Sequence, residues 1–448
     1  MHSDRIRVPY PISALAAALL ATAPGTRALT LHEAQEQLFR GNPDLAVLQL
    51  EVERAEDQTQ EARAAWLPSI DAAGSYGYTS ETSRLKLDLP FPPPAGTTIN
   101  KPIGDHDRVE LGLDANYALF TGFARGKNLE SKRAGARARS AQWRGARNQM
   151  SLRLGALFYG WQLAGSQAAY QEKLLQHARQ LEKQLQDFVR AGTAVRSRAL
   201  GAQARSKSVE VDLLSAQNTR DSLAFEVMAF LGAAETAGTG DAPTLNLLAD
   251  TSAPPDPAWG EVVATSDRPD AEALDQAALQ AHLGAAALLG QKYPQLYGMA
   301  GLRYANPGLN LAGDEFMGYG LLGLQLKWNL FDGARNRAQR GQLDVQARVF
   351  GEQKRKLEQE WRKTMATSRL QYARWSAQYE AAKASREAAG AAAADLQRQF
   401  DAGVATGVDW LEAKNNEARA GMAMEQARTM QRLSLLQWDY AAGKELKY

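Results

Sequence analysis

The chain has 448 residues, 45% of them hydrophobic and none of them cysteine, so disulfides and thiolate metal sites are excluded. It carries 52 basic and 50 acidic residues, and the first 28 residues hold three arginines against one aspartate. The remainder is therefore close to neutral and gives no reason to expect nucleic acid as a partner.

Residues 1–28 have the pattern of a secretory signal peptide. Arg5 and Arg7 precede the apolar run ISALAAALLATA (12–23), and Ala28 is a small residue at which cleavage could occur. Beyond this segment no run approaches the ~18 apolar residues of a membrane-spanning helix. We therefore expect an exported protein without a helical membrane anchor.

The rest of the chain is one structural plan written twice. Early landmarks recur after 226 positions and later ones after 211: Pro43/Pro269, Pro68/Pro294 and Tyr78/Tyr304, then Phe120/Phe331, Gly192/Gly403 and Gly232/Gly443. The extra residues of the first copy fall in a proline-rich loop, LPFPPPAGTTINKP (89–102). We therefore predict a first repeat over 29–232, a linker over 233–267, a second repeat over 268–443 and a tail over 444–448.

Each repeat is predicted to run helix, strand, strand, long helix, helix. In the first repeat the periodicity places helices at 44–66, 123–190 and up to 231, with strands at 69–80 and 108–120. The second strand of each repeat alternates in polarity. Its apolar positions are Val109, Leu111, Leu113, Ala115, Tyr117 and Leu119, and later Leu322, Leu324, Leu326, Trp328 and Leu330.

The long helices carry apolar residues at alternating spacings of four and three, which predicts coiled-coil packing. In the first repeat these positions are Leu174, Ala178, Leu181, Leu185 and Phe188, and then Val209, Leu213, Ala216, Leu223, Val227 and Phe230, with Arg220 as a polar member.

Strands that are apolar on one face and about ten residues long match the span of membrane β-strands. Four strands cannot close a barrel, and an open edge in lipid leaves each backbone group unsatisfied at a cost of several kcal/mol. We therefore expect several copies of the chain to complete the sheet.

Two other classes of protein fit the sequence less well. The five histidines are scattered without a metal-ligand or catalytic spacing, so no catalytic residue, metal ligand or cofactor is predicted and an enzyme is disfavoured. A periplasmic coiled-coil scaffold or adaptor without a pore accounts for the heptads but leaves the amphipathic strands unexplained.

The sequence resembles the TolC-like family of outer-membrane efflux channels over essentially the whole chain after residue 28. The resemblance is carried by the two Leu-Phe-x-Gly turns, the breaks at 191–195 and 402–406, and the stretches LTLHEAQEQLFRGNPDL (29–45) and ARAAWLPSIDAAGSYGY (62–78). It implies a mostly α-helical homotrimer whose duplicated helical hairpins form a periplasmic α-barrel and whose twelve strands, four from each chain, form one β-barrel in the outer membrane.

The resemblance also implies partners and a route. Such a channel contacts outer-membrane lipid and docks through a periplasmic adaptor onto an inner-membrane RND or ABC transporter. It serves a tripartite efflux pump or type I secretion system in a Gram-negative bacterium. The cargo could be drugs, metals or a secreted polypeptide.

By the same resemblance the Leu-Phe-x-Gly turns, with Phe120, Gly122, Phe331 and Gly333, mark the passage from membrane strand to periplasmic helix. The tips of the helical hairpins are implied adaptor-docking points, through Gly192, Thr193, Gly403 and Val404.

Asp409 and Glu412 match the acidic positions that narrow the closed pore in the family. Their other interpretation is as acidic residues at the start of a helix, where the helix dipole favours them. Arg198 occupies the position where the family usually has an acid, and Arg196 lies beside it. We hypothesise that Arg196 or Arg198 pairs with Asp409 across neighbouring hairpins.

Overall fold

The structure, a computed structural model, describes residues 30–89, 97–103, 106–232, 257, 259–306, 308–309 and 315–448. The predicted signal peptide and most of the predicted linker lie outside these ranges. Thirteen elements carry the argument: α1 (Leu31–Gly41), α2 (Pro43–Ala64), β1 (Ser69–Tyr78), β2 (Ser83–Leu89), β3 (Thr97–Ile103), β4 (Asp107–Phe120), α3 (Ala124–Arg190), α4 (Arg196–Phe230), α5 (Pro269–Gly290), β5 (Gln295–Asn306), β6 (Met317–Lys327), α6 (Arg335–Asp401) and α7 (Gly407–Ala441).

The duplication seen in the sequence recurs in the helix lengths. The helices α2 and α5 have 22 residues each, α3 and α6 have 67 each, and α4 and α7 have 35 each. The predicted helices and the first two predicted strands agree with these elements to within about two residues.

The chain divides into two compact units, and each draws on both repeats. Of the described residues, one unit contains those up to 46 and those within 146–264 and 360–448, and the other contains those within 47–145 and 265–359. The first unit is helical, and the second holds the sheets together with α2, α5 and the first parts of α3 and α6. The compact units therefore do not coincide with the two predicted repeats.

The main sheet of the second unit has four antiparallel strands in the order β1-β4-β5-β6. A separate hairpin, β2–β3, lies in the segment that the sequence assigned to a loop. The alternation in the sequence also predicted that the last strand continues through Trp328 and Leu330, and this prediction is wrong. Strand β6 ends at Lys327 because Lys327 pairs with Gln295, the first residue of β5, and no partner backbone continues beyond it.

The helical unit has two apolar clusters. One lies where α1 meets α3 and the end of α4, and its fully buried members include Leu38, Leu154, Phe158 and Val227. The other joins both helical hairpins and contains predicted heptad positions together with α7: Leu174, Ala178, Leu181, Val209, Leu213, Trp410 and Leu411. The predicted coiled-coil packing therefore forms within one chain, although Phe188, at the end of the heptad run, is exposed.

Helix α1 was not predicted, although its start is encoded locally. Thr30 accepts a hydrogen bond from the Glu33 backbone N–H, and the Glu33 carboxylate accepts one from the Thr30 backbone N–H, which is a capping box. Asn42 separates α1 from α2, because its Oδ1 accepts from the N–H groups of Asp44 and Leu45. Its Nδ2 donates to the Phe230 carbonyl oxygen and ties this junction to α4.

Candidate channel surface and helix tips

One face of the four-stranded sheet is apolar and uncovered in the single chain. Residues that pair directly across antiparallel strands point to the same side, so the register defines this face. It contains Ile70, Tyr76, Leu111, Leu113, Leu302, Tyr304, Leu322, Leu324 and Leu326, all of them exposed and Leu322 to 91%. An exposed apolar area of this extent marks a surface that contacts lipid or protein.

The opposite face of the same sheet is polar and rich in small residues. It carries Asp71, Glu110, Asp114, Asn116 and Arg303 among glycines and alanines, with Met299 and Leu321 as apolar members. Alternation of apolar and polar faces along every strand is the arrangement of a membrane barrel with a watery interior. Both edges of the sheet, β1 and β6, lack a second partner strand among the described residues.

The two Leu-Phe-x-Gly turns have the same backbone but different surroundings. Gly122 and Gly333 have φ of 62° and 63°, and the residues after them, Phe123 and Ala334, also have positive φ. A Cβ on Gly122 would lie 2.2 Å from the Gly290 carbonyl oxygen, whereas a Cβ on Gly333 would meet nothing within 4 Å. The first turn therefore needs glycine for both conformation and space, and the second for conformation alone.

Aromatic side chains surround these turns. Phe120 packs edge-to-face on Phe123, and the Arg125 guanidinium lies over the Trp66 ring at 4.5 Å. Phe331 is 88% exposed, and Trp328 Nε1 donates to the Lys292 carbonyl oxygen. Exposed aromatics beside the end of an amphipathic strand are typical of the interface between membrane and water.

Both hairpin tips use one backbone device. Gly192 and Gly403 have φ of 74° and 75°, and the N–H groups of Thr193 and Val404 donate back to the carbonyl oxygens of Phe188 and Gln399. This is the usual way for a helix to end on a left-handed glycine. The tips are apolar and accessible, since Val195, Val404 and Val408 are each more than half exposed.

The two predicted pore acids both lie in the first turns of α7 and are exposed. Thr406 caps this helix, because its Oγ1 accepts from the Asp409 N–H and also donates to Asp409 Oδ2 at 2.6 Å. Asp409 is thus held at the helix start, as the alternative interpretation predicts. Glu412 follows on the accessible side of α7, while Trp410 and Leu411 between them are buried.

The tip arginines lie on the other hairpin. Within one chain neither Arg196 nor Arg198 forms an ion pair with Asp409, all three being in the described part. Arg198 and Arg205 instead line a cavity of about 420 Å³ together with Leu181, Leu185 and Leu411. The pairing between neighbouring hairpins remains a prediction about the assembled protein.

A buried aromatic cluster supports the acidic end of α7, and sequence reasoning missed it. Trp410 is fully buried, stacks on Phe400 at 5.2 Å and meets the His177 ring edge-to-face at 5.3 Å. Burial, together with the nearby Lys414 charge, lowers the pKa of His177. The feature of the sequence that could have indicated this cluster is Trp410 itself, which directly follows the predicted pore acid Asp409.

Within the described residues no group of three or more His, Asp or Glu side chains is placed to hold a metal ion, and no helix there is long and apolar enough to cross a bilayer.

Known proteins with similar sequences or structures are outer-membrane proteins, in agreement with the amphipathic sheet and the long helices described above. The family model of the outer membrane efflux protein matches residues 34–233 and 266–444. Among solved structures, the Campylobacter jejuni CmeC outer membrane channel superposes with a TM-score of 0.76 at 14% identity, covering 100% of this chain and 95% of that one. No curated protein sequence matches.

Two further structures give the same result. The outer membrane protein VceC of Vibrio cholerae has a TM-score of 0.69 at 18% identity, covering 92% of this chain and 96% of that one. The open-state MtrE outer membrane channel of Neisseria gonorrhoeae has a TM-score of 0.71 at 18% identity, covering 93% and 89%.

These similarities define the class of protein as an outer-membrane channel with a periplasmic helical extension. The chain belongs to the outer membrane efflux protein family, whose model covers most of its length.

Proposed function

We propose that the chain is the exit duct of a tripartite efflux pump or type I secretion system and works as a homotrimer. Substrates would enter from an inner-membrane RND or ABC transporter and leave through the outer membrane. The observation that carries the proposal is the open four-stranded sheet with one uncovered apolar face. Such a sheet is complete in lipid only when further strands occupy both of its edges.

Three copies would supply twelve strands, which lies within the range of bacterial outer-membrane barrels. Strand β1 of one copy would pair with β6 of the next, because these are the two free edges of the described sheet. The exposed leucines would then face lipid and the polar face would line the passage. CmeC and MtrE, both described as outer membrane channels, have this fold and support the arrangement.

The periplasmic end of the passage would be closed at the helix tips by Asp409 and Glu412. Both carboxylates are exposed in the single chain, and the Thr406 cap fixes the direction of the first. Three copies would bring six carboxylates together, which repels anions and attracts cations. Arg196 or Arg198 of a neighbouring hairpin would pair with Asp409 in the closed state.

An adaptor would dock on the hairpin tips at Gly192, Thr193, Gly403 and Val404. The exposed valines beside these residues give the tips an apolar surface that a partner could cover.

The proposal is tested by the ionic current through the purified full-length trimer in a planar lipid bilayer. We expect small, cation-preferring current steps in the wild type that become larger in Asp409→Ala/Glu412→Ala. The control is Asp212→Ala/Glu172→Ala, which removes the same charge from exposed positions about 25 Å from the first tip.

Larger steps in the tip variant alone would support an acidic gate. Current steps of equal size in the wild type and both variants would still support a channel but would place its gate elsewhere. Absence of current from a correctly folded, inserted trimer would refute the channel and favour a coiled-coil scaffold. Wild-type current steps in Arg196→Ala/Arg198→Ala would contradict the arginine–aspartate pairing.

A further inference from the structure

The polar face of the sheet contains an arginine held by two carboxylates. Arg303, in the middle of β5, lies across from Gly112 of β4. Its Nε is 2.8 Å from Glu110 Oε1, and its Nη2 donates to Asp114 Oδ1 at 2.7 Å. The Arg303 side chain is 18% exposed, against 32% for each carboxylate, so the guanidinium is the most enclosed member of the cluster.

Two glycines keep this guanidinium flat against the sheet. A Cβ on Gly112 would lie 2.6 Å from Arg303 Nη1, and a Cβ on Gly301 would lie 3.3 Å from the same atom. A larger side chain at residue 112 would push the guanidinium away from the backbone and out of reach of one carboxylate. The arginine is therefore fixed along the wall instead of extending from it.

The cluster leaves an excess of negative charge in the middle of the face. Asp71 of β1 pairs in register with Asp114 and points to the same side. One arginine against three carboxylates gives a formal charge of −2 in each chain. The other charged residues of this face, Arg108 and Lys327, add one positive charge each, about 7 Å and about 20 Å along the strands from the cluster, so the excess of negative charge is local to the cluster.

We propose that Arg303 limits the cation preference of the barrel, as a specificity-determining residue separate from the helix tips. This inference rests on the proposed trimeric channel, in which three clusters form one belt with a formal charge of −6. The belt favours cationic solutes over anionic ones on their way out, and Arg303 limits that preference by neutralising part of its charge.

The belt acts on passing ions through the field that it creates, so its effect depends on salt. The Debye length is about 30 Å at 0.01 M salt and about 3 Å at 1 M. A charge at the barrel wall is felt across the passage in dilute salt and only at the wall in concentrated salt. A purely structural role for the Arg303 ion pairs would give no such dependence.

The test is the ratio of cation to anion permeability, obtained from the reversal potential of the full-length channel in a salt gradient. It is measured in the Asp409→Ala/Glu412→Ala background so that the tip acids do not contribute. In dilute salt Arg303→Met should raise the ratio, because the belt of the trimer loses three positive charges. Asp71→Asn should lower it, because the belt loses three negative charges.

Asp71→Asn leaves both Arg303 ion pairs intact, so it tests the charge of the belt even if Arg303→Met does not assemble. The exchange variant Arg303→Asp/Asp114→Arg keeps the belt charge and should keep the wild-type ratio. Asn116→Ala, on the same face, is the neutral control.

Opposite shifts in the two charge variants that disappear in concentrated salt would establish the belt. Conducting channels with unchanged ratios in dilute salt would overturn the inference while leaving the proposed function intact. A trimer that carries no current in any form would overturn both, and the wild type would show this first.

Discussion

Trp410 Nε1 donates a hydrogen bond of 2.6 Å to Gln397 Oε1, joining the first turn of α7 to the last turns of α6. The indole is fully buried, so its N–H has no access to water as an alternative partner. This bond fixes the base of the second hairpin tip, directly beneath the residue pair that we propose as the gate.

Gln397→Leu should therefore destabilise the tip. Leaving a buried N–H without an acceptor costs about 1–3 kcal/mol. We expect a lower melting temperature and faster protease cleavage near residue 403, measured on the purified trimer. Gln399→Leu, at an exposed position of the same helix, is the matched control and should leave both unchanged. Equal changes in melting temperature and cleavage rate in the two variants would contradict a specific contribution of the Trp410 hydrogen bond.

The two strand-to-helix turns predict different costs for the same substitution. Gly333→Ala should cost about 1–2 kcal/mol, the strain of a left-handed backbone with a Cβ, because the site is open. Gly122→Ala carries the same strain and also brings the Cβ against the Gly290 carbonyl oxygen. We expect Gly122→Ala to give the lower melting temperature and the lower yield of trimer. Equal losses for the two alanines would falsify the close approach at Gly122.

His177 should make the helical unit sensitive to acid. Its pKa is lowered first by burial and then by Lys414, while Glu417 acts in the opposite direction. The folded protein thus holds this proton less tightly than the unfolded chain, whose value is near 6.5. Stability from the neutral ring is present above pH 6.5 and is lost as the pH falls from there through the lowered folded-state pKa.

His177→Gln should flatten this part of the stability profile, measured as melting temperature against pH. His32→Gln, at an exposed histidine on α1, should retain the wild-type profile. The opposite pattern, with His32→Gln flattening the curve, would place the acid sensitivity elsewhere.

Asn148 of α3 makes two hydrogen bonds to the backbone of the C-terminal tail. Asn148 Nδ2 donates to the Lys444 carbonyl oxygen at 3.0 Å, and its Oδ1 accepts from the Leu446 N–H at 2.9 Å. Asn148→Ala removes both bonds, which should weaken tail docking by about 2 kcal/mol. We expect trypsin to cleave faster after Lys444 than in the wild type, followed by mass spectrometry. Asn416→Ala, at an exposed residue of α7, should cleave at the wild-type rate.

Those parts of the fold could be predicted that depend on short local patterns or that occur in both repeats of the sequence. Helix boundaries follow from caps and breaks such as Gly192 and Gly403, and the strand faces follow from strict alternation along β4. The hairpin β2–β3 was missed even though Leu85, Leu87 and Leu89 alternate with Lys86 and Asp88. A proline-rich run lies beside these residues and is typical of a loop, so a loop was predicted there instead of a hairpin.

Contacts between distant positions could not be derived in this way. Asp409 is visible as an acid, and Thr406 three residues earlier is a readable cap, but nothing local places His177 beside Trp410. The same holds for Arg303, whose partners Glu110 and Asp114 lie almost two hundred positions earlier. Alternation puts each of them on the polar face, and only the register of β4 with β5 brings them together.

The equal lengths of α3 and α6, and of α4 and α7, restrict how this protein can change size. Deleting one residue from a helix shortens it by about 1.5 Å and turns everything beyond the deletion by about 100°. Such a deletion in α3 ahead of His177 would turn the imidazole ring away from Trp410. Shorter or longer channels of this design should therefore differ by whole heptads, removed from or added to all four helices at once.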